Sequence, residues 1–172
     1  MKEVMPVAGL PLVVLAVLAV AAPEALGQKR AEERAVSTTV VCVCEHGNVK
    51  SLIASEWFNR LAADHGVAAR AVSRGLTPET PVPAAIVEKL SRDGFDVGRF
   101  EPRALVPADV DGSSRVVLIG VEPPSWVGRA GLSVDKWDGI PPASESYEAS
   151  RDAMRSRIVQ LLEALTSRGP AR

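Results

Sequence analysis

Val40-Val41-Cys42-Val43-Cys44-Glu45-His46-Gly47-Asn48-Val49-Lys50-Ser51 joins a short apolar run to a loop of polar and small residues. Val40–Val43 has the pattern of a strand buried on both faces, as in the middle of a parallel sheet. The residues that follow include Gly47 and Asn48, which tolerate backbone angles closed to most side chains. Ser51 has the chemistry to cap a helix running to Gly66, with Ile53, Trp57, Phe58 and Leu61 at helical spacing. A strand feeding a helix through such a loop sets several backbone N–H groups at the positive end of a helix dipole. That place suits a tetrahedral oxyanion. The same field favours the thiolate of Cys44. Lys50 returns a full positive charge to the loop mouth, and Ser51 can donate its hydroxyl toward the sulfur.

Outward from this turn, strands and helices alternate. Val67–Val72 reads as a second strand, and Thr80-Pro81 as the start of a helix holding Ile86, Val87 and Leu90 and closed by Gly94. Arg115–Val121 is a strong strand and Leu132–Trp137 a fourth. A last helix spans Ser146 to Ser167, with Met154, Ile158, Leu161, Leu162 and Leu165 along one stripe. The pattern is that of a three-layer α/β domain with right-handed crossovers. Three Phe, three Trp and one Tyr leave the core to Val, Leu, Ile and Ala.

The chain has 172 residues, 20 basic and 21 acidic, so its net charge of −1 offers no basic surface to nucleic acid. Two Cys exclude a disulfide scaffold, and no metal-ligand spacing or cofactor motif is present. Val4 to Pro23 carries no charge. With Lys2 before it and Ala25-Leu26-Gly27 after it, residues 1–27 read as a secretory signal. A retained anchor also fits, since about 20 apolar residues span a bilayer. A misassigned start is the third reading. The product is then exported, anchored through this segment alone, or cytoplasmic. Residues 28–37 form a polar linker, and 38–168 the domain.

Cys44, five residues, then Lys50-Ser51, set between the first strand and first helix, resembles a known phosphate loop. It is that of the low-molecular-weight protein tyrosine phosphatases and thioredoxin-coupled arsenate reductases, whose signature is Cys, five residues, Arg, Ser. The likeness extends to Gly94-Phe95-Asp96-Val97, to the Arg115–Val121 strand, and to Trp137 before a Pro-rich turn and a long helix. It covers roughly residues 38–168. The resemblance implies a four-stranded parallel sheet in the order 2-1-3-4 with helices on both faces, Cys44 lying at the carboxyl edge of strand one. It also implies a phosphate-like oxyanion or phosphorylated substrate held by the loop of Glu45, His46, Gly47, Asn48, Val49 and Lys50. Cys44, Lys50 and Ser51 then carry the chemistry.

Several positions depart from the family. Lys50 replaces an Arg whose planar fork grips two phosphate oxygens. The Gly47-Asn48 pair lies one position later than in the family. Pro141 stands where the family has the acidic residue before Pro, leaving Asp138 as the nearest substitute acid. Glu122-Pro123-Pro124 replaces the resolving Cys of the reductases, so arsenate reduction by that mechanism is not expected. Cys42 is assigned to the core, on the face opposite Cys44, with no disulfide between them. His46 either tunes Cys44 or is an inert loop residue; Trp57 and Trp137 are packing residues. Three functions fit these residues: a weakly active cysteine-dependent phosphatase-like hydrolase, a degenerate module that binds phosphate, arsenate or a phosphoprotein, and a redox-sensing thiol.

Overall fold

The computed structural model describes residues 38–128 and 132–167. The leader, the linker and the last residue of the expected domain lie outside them. The order is β1 Thr38–Cys44, α1 Lys50–Asp64, β2 Ala69–Gly75, α2 Ala84–Arg92, α3 Pro107–Asp111, β3 Arg115–Ile119, β4 Ser133–Trp137 and α4 Tyr147–Ser167. The four strands pair in the order β2-β1-β3-β4, and every pairing is parallel. Cys44 lies opposite Gly75 at the carboxyl edge of the sheet. The apolar runs read as double-sided strands are buried throughout: Val40, Val41, Val43, Val116, Val117 and Leu118 expose 1% or less.

The two faces of the sheet are covered unequally. Val40, Cys42, Cys44, Val117 and Ile119 face a large core containing Phe58 and Trp57 from α1, Ile86 and Leu90 from α2, and Met154 and Ile158 from α4. Val41, Val43, Val116 and Leu118 face a smaller one closed by Leu105, Val110 of α3 and Val127. Trp57 meets Phe95 edge-on, with ring centroids 5.1 Å apart, and Trp137 is buried, so both tryptophans pack.

Cys42 and Cys44 belong to the same core, which corrects the expectation of opposite faces. Residues two apart along a strand share a face, because side chains alternate with a period of two. Both thiols are free. β2 begins two residues later than expected because the Val67 amide still closes α1 by donating to the Ala62 carbonyl at 2.8 Å. It continues to Gly75 because Arg74 and Gly75 pair with Val43 and Cys44. Its half-buried alternation hid this extension. α2 starts after Pro83 rather than at Pro81. α3 was not anticipated: Pro107 opens it, and the Asp109 carboxylate accepts from the Val106 amide at 3.1 Å. β3 ends at Ile119, since Gly120 turns the chain at φ +65°.

Candidate functional site

The loop between β1 and α1 is fastened from outside by its carbonyls. Those of Cys44, Glu45 and His46 accept from the amides of Leu76 (3.1 Å), Thr77 (2.8 Å) and Glu79 (3.1 Å). Asn48 Nδ2 donates to the Glu79 carbonyl at 3.0 Å. With the carbonyls drawn to this side, the amides of residues 46–49 meet no acceptor among the described residues. They are donors left for a guest.

Two glycines let the loop lie down on β2. Gly47 has φ +68°, and a Cβ there would stand 2.8 Å from the Gly75 nitrogen; a Cβ on Gly75 would stand 2.8 Å from the Gly47 nitrogen. Both are closer than packed atoms approach, so a side chain at either position forces backbone to move.

The sulfur sits inside this frame. Cys44 Sγ is 3.0 Å from Ser51 Oγ and accepts from the Ser51 amide at 3.5 Å. Ser51 is the second residue of α1 and is fully buried, with its hydroxyl given to this contact. It therefore does not cap the helix; Val49 occupies that position without a side-chain bond. Ser73, on β2, has its Oγ 2.8 Å from Ser51 Oγ and 3.1 Å from the Gly47 carbonyl. Each hydroxyl has one proton, and that of Ser73 goes either to the Gly47 carbonyl or to Ser51; in the second arrangement, with Ser51 donating to sulfur, a relay of two hydroxyls ends on Sγ. Burial, with the nearby Cys44 charge, pushes the Cys42 thiol up to about 12, so Cys42 stays protonated and inert.

Sγ opens into a cavity of about 710 Å³. One wall is the loop, including Glu45, His46, Asn48, Val49 and Lys50; the others are α2 with Pro83, Ile119–Val121, and the Pro142–Glu148 turn. Lys50 Nζ reaches across the mouth to within 3.5 Å of the Ile140 carbonyl. His46 Nδ1 lies 3.3 Å from both the Thr77 carbonyl and Glu79 Oε1. Tyr147 donates its hydroxyl to Asp93 Oδ2 at 2.6 Å; burial first, then this carboxylate, hold the phenol well above its usual range. The cavity thus joins Cys44, Lys50 and the loop to residues about 40 and 100 positions downstream. Asp138 is not brought in: it is exposed, and its carbonyl accepts from Arg157. Ser73, Gly75 and the Pro142–Glu148 wall escaped sequence reading. A serine within a half-polar strand carries no local mark of its partner. Among the described residues no cluster of three or more His, Cys, Asp or Glu side chains is placed to hold a metal.

No family profile and no curated protein matches the sequence. Solved structures do. A thioredoxin-dependent arsenate reductase of Corynebacterium glutamicum aligns at 21% identity over 81% of this chain and 72% of its own, with a TM-score of 0.60. A low-molecular-weight protein tyrosine phosphatase of T. tengcongensis aligns at 23% identity over 74% and 99%, TM-score 0.56. The YwlE arginine phosphatase of Bacillus subtilis, as a mutant with a phosphorylated active-site serine, aligns at 14% over 75% and 96%, TM-score 0.61. The fold is that of the low-molecular-weight phosphatases and arsenate reductases. Such identities speak for the fold and leave the chemistry to the residues. Among the described residues no helix is long and apolar enough to cross a membrane.

Proposed function

We propose that residues 44–51 form an oxyanion loop of a divergent phosphatase-like hydrolase, and that it turns over phosphoric monoesters weakly. The observation that carries this reading is the Cys44 Sγ–Ser51 Oγ contact of 3.0 Å, at the start of α1 and facing the cavity shared with Lys50. Cys44 thiolate attacks phosphorus as the P–O bond to the alcohol breaks and the alcohol leaves; water then attacks phosphorus, the S–P bond breaks and phosphate is released, while the loop amides with Lys50 balance the charge on the equatorial oxygens in both steps. Ser51 then stabilises the sulfur as it leaves. YwlE held with phosphoryl on its active-site serine supports a covalent step in this fold. Turnover is weak because a single ammonium stands where a planar fork grips two oxygens.

The test is hydrolysis of a small aryl phosphate by the full chain. Residual turnover vanishes in Cys44→Ser, survives Cys42→Ser, and rises in Lys50→Arg more than in any other single variant. Turnover intact in Cys44→Ser overturns the mechanism. Lys50, Pro141 and the outlying Asp138 also suit a second reading, a phosphate- or phosphoprotein-binding module. Phosphate binding with no turnover in either wild type or Lys50→Arg selects it.

A further inference from the structure

Among the described residues, the cavity in front of Cys44 has no proton donor held toward the sulfur. Position 141 is Pro, and Asp138 is exposed and off the wall, its carbonyl accepting from Arg157. Glu148 is ion-paired with Lys89 at 2.5 Å, and that bond holds its carboxyl below the usual range. Glu45 accepts from the Thr77 hydroxyl, His46 turns Nδ1 to Thr77 and Glu79, and Tyr147 gives its proton to Asp93. Glu145 is exposed at the rim, with no side-chain bond that aims it inward. The wall itself is largely aliphatic. Pro83, Ile86, Val121, Pro142 and Ala143 line it, and the one benzene ring among the described lining residues, that of Tyr147, belongs to a residue only 4% exposed. Of the two ammonium groups on the wall, Lys89 is neutralised by Glu148, which leaves Lys50 for the anion.

We infer that the substrate of this site is an acyl phosphate with an aliphatic chain, a mixed anhydride whose leaving group is a carboxylate. This rests on the hydrolase reading above. A phenol or alcohol departs as a base titrating at about 10 or higher and needs a proton, whereas a carboxylate, at about 4, does not. A phosphoric anhydride also departs unprotonated, but its leaving group brings further charge, and Lys50 is the single unpaired ammonium among the described lining residues. In the first step Cys44 thiolate forms the S–P bond as the P–O bond to the acyl oxygen breaks, and both electrons of that bond leave on the carboxylate. Water then attacks phosphorus, the S–P bond breaks back to thiolate, and phosphate departs with both protons of the water. No side chain gives or takes a proton in either step.

The experiment measures kcat/KM, which reads the first step, for the full chain on acetyl, butyryl, benzoyl and phenyl phosphate. Butyryl phosphate exceeds phenyl phosphate by about 10²-fold or more, the factor a general acid would have supplied. It exceeds acetyl phosphate by roughly fifteenfold, at about fourfold for each added methylene buried. Benzoyl phosphate, whose leaving group is no more basic but carries a ring, falls below butyryl phosphate. All four rates vanish in Cys44→Ser. Ala85→Asp sets a charge on the exposed first turn of α2, where it borders the cavity, and erases the advantage of butyryl over acetyl phosphate. Phenyl phosphate within about tenfold of butyryl phosphate shows that a proton is supplied, and it overturns the inference while the hydrolase reading stands. No gain from acetyl to butyryl, or benzoyl phosphate turned over faster than butyryl, overturns it in the same way. Wild type that binds inorganic phosphate and hydrolyses none of the four removes both.

Discussion

At the scale of single residues, the least replaceable positions are not those with reactive side chains. Gly47 and Gly75 press backbone to backbone, each lacking room for a Cβ by a wide margin. Gly75→Ala drives a methyl into the Gly47 amide, so the loop lifts off β2. The expected cost is about 1–3 kcal/mol, as for other overpacked sites. Gly98→Ala is a matched control, because its Cβ would meet only Asp96 Oδ1 at an ordinary 3.7 Å and should change stability by about 0.5 kcal/mol or less. Urea unfolding of both variants, with phosphate affinity measured alongside, checks the pair; Gly75→Ala loses on both counts.

At the scale of elements, α3 is small, with Val110 buried and one ion pair to β2. Arg74 of β2 reaches Asp109 at 2.6 Å, joining the end of the edge strand to this short helix. Partial burial raises the Asp109 carboxyl, but the Arg74 hydrogen bond, the Val106 amide and the charges of Arg74 and Arg103 outweigh it, so the group titrates below its usual range. A carboxyl depressed in the fold stabilises above its unfolded titration range, and that stability is lost as pH falls through the folded value. Arg74→Ala therefore destabilises the fold at pH 7 by about 1 kcal/mol, seen as a lower melting temperature, and costs less at a pH acid enough to protonate Asp109 in the fold. Thermal melts at the two pH values measure the difference. The same element marks where sequence reading ends. β1 and β3 were legible because each is an unbroken apolar run. β2 alternates buried and half-exposed positions and was shifted, while α3, at five residues, has no room for a helical stripe. The place of the Cys44–Ser51 loop between β1 and α1 was legible because its parts lie within eight residues of one another. Ser73 was not, since only the sheet order brings it to Ser51 and, through it, to Cys44.

At the scale of the whole molecule, the described residues fold around one sheet whose carboxyl edge gathers Cys44, Gly120 and the residues beyond Trp137 against one cavity. A ligand there bridges segments distant in sequence, so binding registers as global stability. At a hundredfold excess over its dissociation constant a ligand adds about 2.7 kcal/mol. In a domain of this size that raises the midpoint by roughly 10 °C. Vanadate or phosphate should shift wild type in this way and leave Lys50→Ala nearly unmoved, as differential scanning fluorimetry will report. An equal shift in both removes Lys50 from the oxyanion's neighbours.

The fastening of the loop from behind makes its occupancy visible at a distance. The amides of Leu76, Thr77 and Glu79 point at carbonyls of Cys44, Glu45 and His46 and take no part in lining the cavity. Whatever steadies the loop from the front steadies these three bonds at its back. Their deuterium uptake becomes a built-in gauge, slowing when the loop is filled, and it needs neither a chromogenic ester nor a label on the sulfur.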